Sequence, residues 1–242
     1  MARMRDRKLQ LREWLESPQW KTRLAALTAL DGREVVGPLL SFLLRGGDMT
    51  ARAAVGLGMC VARLAEDEPE AARNIIRRFM WHMNEESGNI GWGMPEAFAE
   101  TLARSPRMAE EFHSILLSYI MDTGRDDNYC DHDVLRRSCF WAAGRLAQAR
   151  PDLCAKALPW LVKGLDDADL PCRGMAAWAI GRLPPSAPGQ SRHETTLKAE
   201  PALRRLAARE GAETCFVFDG DAVRERRISD LARETLETAC RR

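Results

Sequence analysis

The densest cluster of ligand-type side chains lies at residues 126–133, where DDNYCDHD brings together Asp126, Asp127, Cys130, Asp131, His132 and Asp133. Carboxylate, thiolate and imidazole are the ligands of divalent metals. The spacing argues against a built site. Structural zinc needs paired, spaced thiolates and a calcium loop needs the D-x-D-x-D-G order, and neither is present. The same letters serve as an acidic helix start, with Asp131 or Asp133 capping a helix that opens at Val134. The expectation is no metal and no cofactor; Cys130, Asp131, His132 and Asp133 are the residues that would hold an ion if one bound.

A second unusual stretch, SGNIGWGMPE at 87–96, sets Gly88, Gly91 and Gly93 around Trp92, just ahead of a predicted helix. Glycines there allow tight turns and a close backbone approach. One reading is a partner site built from Glu85, Glu86, Asn89, Trp92 and Glu96. The other is a wide turn with Trp92 plugged into the core. A phosphate loop is not expected, because no Lys-Ser/Thr pair follows the glycines. No nucleophile elbow or Walker sequence occurs, and histidines are confined to 82, 113, 132 and 193, so an enzyme is not the favoured reading.

Residues 134–150 (VLRRSCFWAAGRLAQAR) and 171–187 (PCRGMAAWAIGRLPPSA) set these candidates in a frame. Arg136 and Arg173, Trp141 and Trp178, Gly144 and Gly181, Leu146 and Leu183 each lie 37 positions apart. A period of that size on a helical pattern marks an α-solenoid, in which a repeat buries its apolar face only against its neighbours. The recurring rings and guanidinium groups either pack successive repeats together or line a groove as partner-binding residues.

The period continues more faintly along the chain. Leu30, Leu64, Leu102, Leu146 and Leu183 are spaced by 34, 38, 44 and 37, and each is followed by a second apolar stretch, at 35–44, 71–83, 108–121, 151–165 and 199–207. The pattern predicts an all-α right-handed superhelix of about five helix pairs. Segments 84–96, 122–133 and 184–199 interrupt it. At the N-terminus, Leu9, Leu11, Trp14 and Leu15 predict an amphipathic helix with those four side chains inward. Near the C-terminus, TCFVF and AVRERRI flank Asp219-Gly220, a type I′ hairpin signal, before a last helix. One domain over 1–242 is expected: a capping helix at 1–20, repeats over 21–210, and a hairpin plus capping helix at 211–242.

The segments RRSCFWAAGRLA and RGMAAWAIGRLP resemble the HEAT-like repeats of phycobilin-lyase-type proteins. The resemblance runs from about Trp14 to Leu206 and is sharpest between Val134 and Leu183. The strings EESGNIGWGMPEAFAE, SYIMD and WAAGRLAQARP are also similar to a group of uncharacterised HEAT-repeat proteins from sulfate-reducing and related anaerobic bacteria. The resemblance implies an α-superhelix that binds other macromolecules, and it supplies no catalytic residues. It does not imply bilin chemistry, since fold and function separate.

Composition sets the remaining bounds. Formal net charge is +1 and 45% of residues are hydrophobic, without the basic excess of a protein that tracks a nucleic-acid backbone. No apolar run reaches the ~18 residues of a membrane span. Seven scattered cysteines without a CxxC fit reduced thiols and a cytoplasmic address. Together these readings give a non-enzymatic scaffold that binds a protein through its concave surface and the turn at 87–96. The alternatives are a nucleic-acid binder of the DNA-alkylation-repeat kind and a lyase-like accessory protein. Oligomeric state is left open.

Overall fold

The computed structural model describes residues 2–84, 91–125, 128–183 and 192–240. It forms two compact units, Met1–Ala109 and Glu110–Arg242.

The first unit is a series of helices: α1 (Ala2–Glu16), α2 (Trp20–Ala25), α3 (Gly32–Phe42), α4 (Gly47–Asp67), α5 (Pro69–Met83) and α6 (Met94–Arg104). Helix α1 packs on α2 and α3, α3 on α4, and α4 on α5 and α6. The central helix α4 is suited to this place, because Ala53, Ala54, Leu57, Cys60 and Val61 recur at helical spacing and are all buried. Helix α1 buries Leu11 and Leu15 and half-buries Trp14, but Leu9 points outward, 51% exposed. That corrects the expectation for Leu9. At 3.6 residues per turn it lies more than half a turn round from Leu11, so one stripe cannot hold both.

α7 (Pro106–Ser118) carries the chain into the second unit, which holds α8 (Asp133–Ala149), α9 (Leu158–Lys163), α10 (Leu170–Gly181), α11 (Arg192–Ala207), β1 (Thr214–Phe218), β2 (Val223–Arg227) and α12 (Ile228–Cys240). Helix α10 is the hub, packing on α8, α9, α12 and β1. The apolar stretch at 151–165 does not form one helix. It breaks into 3-10 turns at Pro151–Leu153, Ala155–Ala157 and Gly164–Asp166 around the short α9. Pro159 accounts for the break on its N-terminal side: it has no N–H, and its ring would strike the carbonyl one turn earlier. Leu158, Leu161 and Leu165 are buried all the same.

The C-terminal hairpin forms as the alternating pattern predicts, antiparallel with Thr214 opposite Arg227 and Phe218 opposite Val223. Cys215 and Val217 face inward, and Phe216 is 67% exposed. Its turn differs in type. Asp219 N–H donates to the Ala222 carbonyl, so Gly220 and Asp221 are the central pair. Gly220 has φ +93°, and no non-glycine residue among those described has positive φ. Type I′ needs positive φ at both central positions, whereas a glycine at the first alone is the type II′ pattern.

Candidate functional site

The sharpest repeat, between α8 and α10, brings four of the candidate residues together. Trp141 and Trp178 are 4% and 6% exposed and stack on each other, with ring centroids 6.0 Å apart and planes inclined by 12°. Their outer surroundings differ. Trp141 meets the Phe218 ring at 6.1 Å and donates its Nε1 hydrogen to the Phe218 carbonyl at 3.0 Å, which ties the hairpin to α8. Trp178 lies beneath the Arg182 guanidinium, 5.0 Å from the ring centroid, and its buried Nε1–H meets no acceptor among the described residues.

Arg136 is 5% exposed and uses its whole guanidinium. Nε and Nη2 form a fork on the Asp167 carboxylate at 2.9 and 3.0 Å, and Nη1 donates to the carbonyls of Cys130 and Asp131, both at 2.9 Å. The Tyr129 ring lies 5.3 Å from the guanidinium carbon. Burial opposes the charge on Arg136, but the Asp167 carboxylate outweighs it and raises the pKa further. The half-buried Arg173, one repeat on, donates its Nε hydrogen to the Asp167 carbonyl, the counterpart of the Arg136 bond to Cys130. Beside them, Arg137 forks onto Asp169 at 2.8 Å through each of two nitrogens. Burial works against the charge on Asp169, but Arg137 and the Cys172 N–H together hold its pKa below the ordinary carboxylate value.

Two side chains of the Asp-rich segment serve the start of α8. His132 is the N-cap of α8, its Nδ1 accepting from Leu135 N–H at 3.3 Å, so the cap is the imidazole and not Asp131 or Asp133. Asp133 accepts from Val134 N–H at 2.7 Å. Cys130 is buried, and a hydrogen bond from Cys139, working against burial, lowers its thiol pKa. Asp126 and Asp127 lie outside the described residues; among those described, no three His, Cys, Asp or Glu side chains converge in a way that could hold a metal ion.

Glu85, Glu86 and Asn89 of the glycine-rich stretch also lie outside the described residues. Trp92 is half-buried, and Glu96, likewise half-buried, stands in the first turn of α6. Gly91 and Gly93 do make close approaches, and these are to the protein itself. A Cβ on Gly91 would stand 2.8 Å from the His82 carbonyl oxygen at the end of α5. Gly93 caps α6 with φ +73°, and a Cβ there would lie 2.8 Å from Thr50 Cγ2.

Sequence reasoning missed the partners: Asp167 and Asp169 for the arginines, Phe218 for Trp141, and Arg182 for Trp178. For one of them the period held a signal, since Asp169 lies 37 positions after His132, and both are N-caps that accept from the N–H three residues on.

Comparison with known proteins agrees with this geometry. Residues 133–183 match the family described as HEAT-like repeat. No curated protein sequence matches the chain, so the likeness to the anaerobe group rests only on the strings quoted for it. Among solved structures, a designed armadillo repeat protein in complex with the peptide (KR)4 is similar at 16% identity and a TM-score of 0.52, covering 96% of this chain and 98% of that one. Two engineered proteins are similar at 13% identity and a TM-score of 0.54, each covering 97% of this chain and 98% and 96% of theirs. At such identities the likeness is one of fold. The chain thus has a helical-repeat fold like that of armadillo and HEAT solenoids, with a two-stranded hairpin near its C-terminus.

Proposed function

We propose that the chain is a non-enzymatic scaffold that binds a partner protein through the concave face expected of such repeats and the turn at 87–96. The observation that carries this reading is the repeat fold, matched over nearly the whole chain by a repeat protein that holds a peptide. Stacked tryptophans and forked ion pairs hold α8 and α10 in one arrangement, which supplies a preformed surface and lowers the ordering cost of binding. Trp81 on α5 is 59% exposed and is an anchor of the kind that dominates protein interfaces. Electrostatics weigh against nucleic acid as the ligand. Arg136 and Arg137, two of the guanidinium groups that would have to face phosphate, are matched by Asp167 and Asp169. The cysteine pattern supports a cytoplasmic setting, and no described helix is long and apolar enough to cross a membrane.

The test is capture of tagged protein from its native cells after crosslinking, with wild type and Trp81→Ala in parallel. The expected result is one near-stoichiometric protein partner whose recovery falls with the substitution. Nucleic acid that leaves with salt, or no specific protein at all, would overturn the proposal.

A further inference from the structure

In the first unit, where the turn into α3 meets the end of α4, lies a half-open cavity of about 200 Å³. Leu27, Cys60 and Leu64 give it an apolar lining, with Leu27 and Cys60 buried and Leu64 half-buried. Burial pushes the pKa of the Cys60 thiol up to about 12, so the thiol stays uncharged and adds to the apolar surface. The polar part of the lining is Asp31, Arg63, Asp67 and Glu68, all four exposed.

The balance of charge there is acidic. Arg63 pairs with Glu66 at 2.7 Å and with Asp67 at 3.0 Å, and Arg33 pairs with Glu68 at 2.6 Å. Asp31 pairs with no cationic side chain among the described residues, so four carboxylates meet two guanidinium groups. Each carboxylate of the lining lends one oxygen to the protein and keeps the other uncommitted: Asp31 lends Oδ1, Asp67 Oδ2 and Glu68 Oε2. The C-terminal end of α4 opens here too, and its dipole favours a cation. The N-terminus of α3 would favour an anion, but Asp31 already fills that role, its carboxylate accepting from Arg33 N–H and its carbonyl from Glu34 N–H.

We propose that this cavity holds a lysine side chain of a partner protein, its methylenes on Leu27, Cys60 and Leu64 and its ammonium among the carboxylates of Asp31, Asp67 and Glu68. A lysine joins an apolar stem to a cationic head, and the cavity is divided in the same way. An ammonium is a compact charge with three donors, which single oxygens from separate carboxylates can meet. An arginine fork is best met by both oxygens of one carboxylate, and each carboxylate here has one oxygen in use. A bare metal cation would leave the apolar lining uncovered. That the lysine belongs to a protein rests on the scaffold reading above, whereas the site itself rests on the cavity and its charge.

The experiment is a magnetic-resonance titration at low salt that follows the Leu27 and Leu64 methyl signals and the amide of residue 32. The probes are acetyl-Gly-Lys-Gly-amide, its counterpart with the lysine Nζ acetylated, and acetyl-Gly-Arg-Gly-amide. The expected result is a saturable shift with the Lys peptide, at least several-fold weaker with the other two. Asp31→Asn keeps the helix cap, since Asn and Asp cap about equally well, and should weaken the Lys response several-fold. Gly32→Leu should abolish it by filling the cavity; a Cβ at that position meets only Leu64 Cδ1 within 4 Å, at 3.9 Å, so the backbone accepts it. No shift up to the solubility limit, an equal shift with either control peptide, or a Lys response undiminished in either variant would each overturn the proposal. Shifts without any captured partner would count against the scaffold reading alone, and a captured partner without shifts against this site alone.

Discussion

Gly144 on α8 lies so close to Trp178 on α10 that a methyl group placed on it would stand 2.7 Å from the ring carbon Cζ3. The same methyl would meet the Ala179 Cα at 2.8 Å, so the ring cannot simply swing aside into free space. This contact sets the distance between the two helices and lets the Trp141–Trp178 stack form. Gly144→Ala is therefore an overpacking change despite its better helix propensity, and overpacking costs about 1–3 kcal/mol. Urea denaturation should show a lower midpoint, and near-ultraviolet circular dichroism a weaker tryptophan band. An unchanged midpoint would mean that the two helices are not held by this contact.

The two stacked tryptophans answer differently to the same substitution. Trp141→Phe removes the N–H that donates to the buried Phe218 carbonyl, and the loss of a hydrogen bond costs about 0.5–1.5 kcal/mol. Trp178→Phe removes an N–H that has no acceptor among the described residues, so only ring area and stacking are lost. Trp141→Phe should be the more destabilising of the two, and it alone should speed amide hydrogen exchange in β1. Equal losses, with β1 exchange unchanged in both, would contradict that order.

The reach of the sequence pattern follows from the range of the interactions. The 37-residue spacing predicts that α8 and α10 use equivalent positions in the same way; Arg136 and Arg173 do reach equivalent carbonyls and Trp141 and Trp178 meet each other, but the other partners of each residue differ. The arginine bonds are local to the start of each helix and the tryptophan stack joins adjacent repeats, and a periodic pattern encodes both kinds. The Phe218 carbonyl over Trp141 comes from a strand 77 positions away and has no counterpart in the period. At His132 and Asp169 one job is done by two unlike side chains, which hides the equivalence from letter matching although both caps are local. Leu9 shows the opposite error, where an apolar letter near the stripe was assigned to it although its angle round the helix places it outside.

Arg136 and Asp167 form a pair with side-chain exposures of 6% and 5%, and the arginine's remaining donors are also bonded. Removing one partner of a buried pair leaves an uncompensated charge, a loss of about 3–5 kcal/mol. Arg136→Met and Asp167→Leu should each lower the unfolding free energy from urea denaturation by an amount in that range. The double variant should lose less than the sum, because it leaves no charge unpaired. Additive losses would show that the two side chains do not act as a unit.

Asp219 gives the hairpin a dependence on pH. Burial opposes its charge, but the N–H groups of Ala222 and Asp221 and the Arg224 guanidinium all favour the carboxylate, and its pKa falls from 3.8 to about 2. A carboxyl group whose folded pKa is depressed adds stability above its unfolded pKa, and that stability disappears as pH falls through the folded one. The contribution of Asp219 should therefore be complete above about pH 4 and vanish as pH falls below about 2. The side chain is 34% exposed, so solvent screening keeps the effect small, and the hairpin itself is the place to read it. Hydrogen exchange at Val217 and Arg224, compared between wild type and Asp219→Ala, should differ at pH 5 and converge as pH approaches 2. A difference that persists undiminished at the lower pH would mean that the substitution acts through the geometry of the turn, independent of the carboxylate charge.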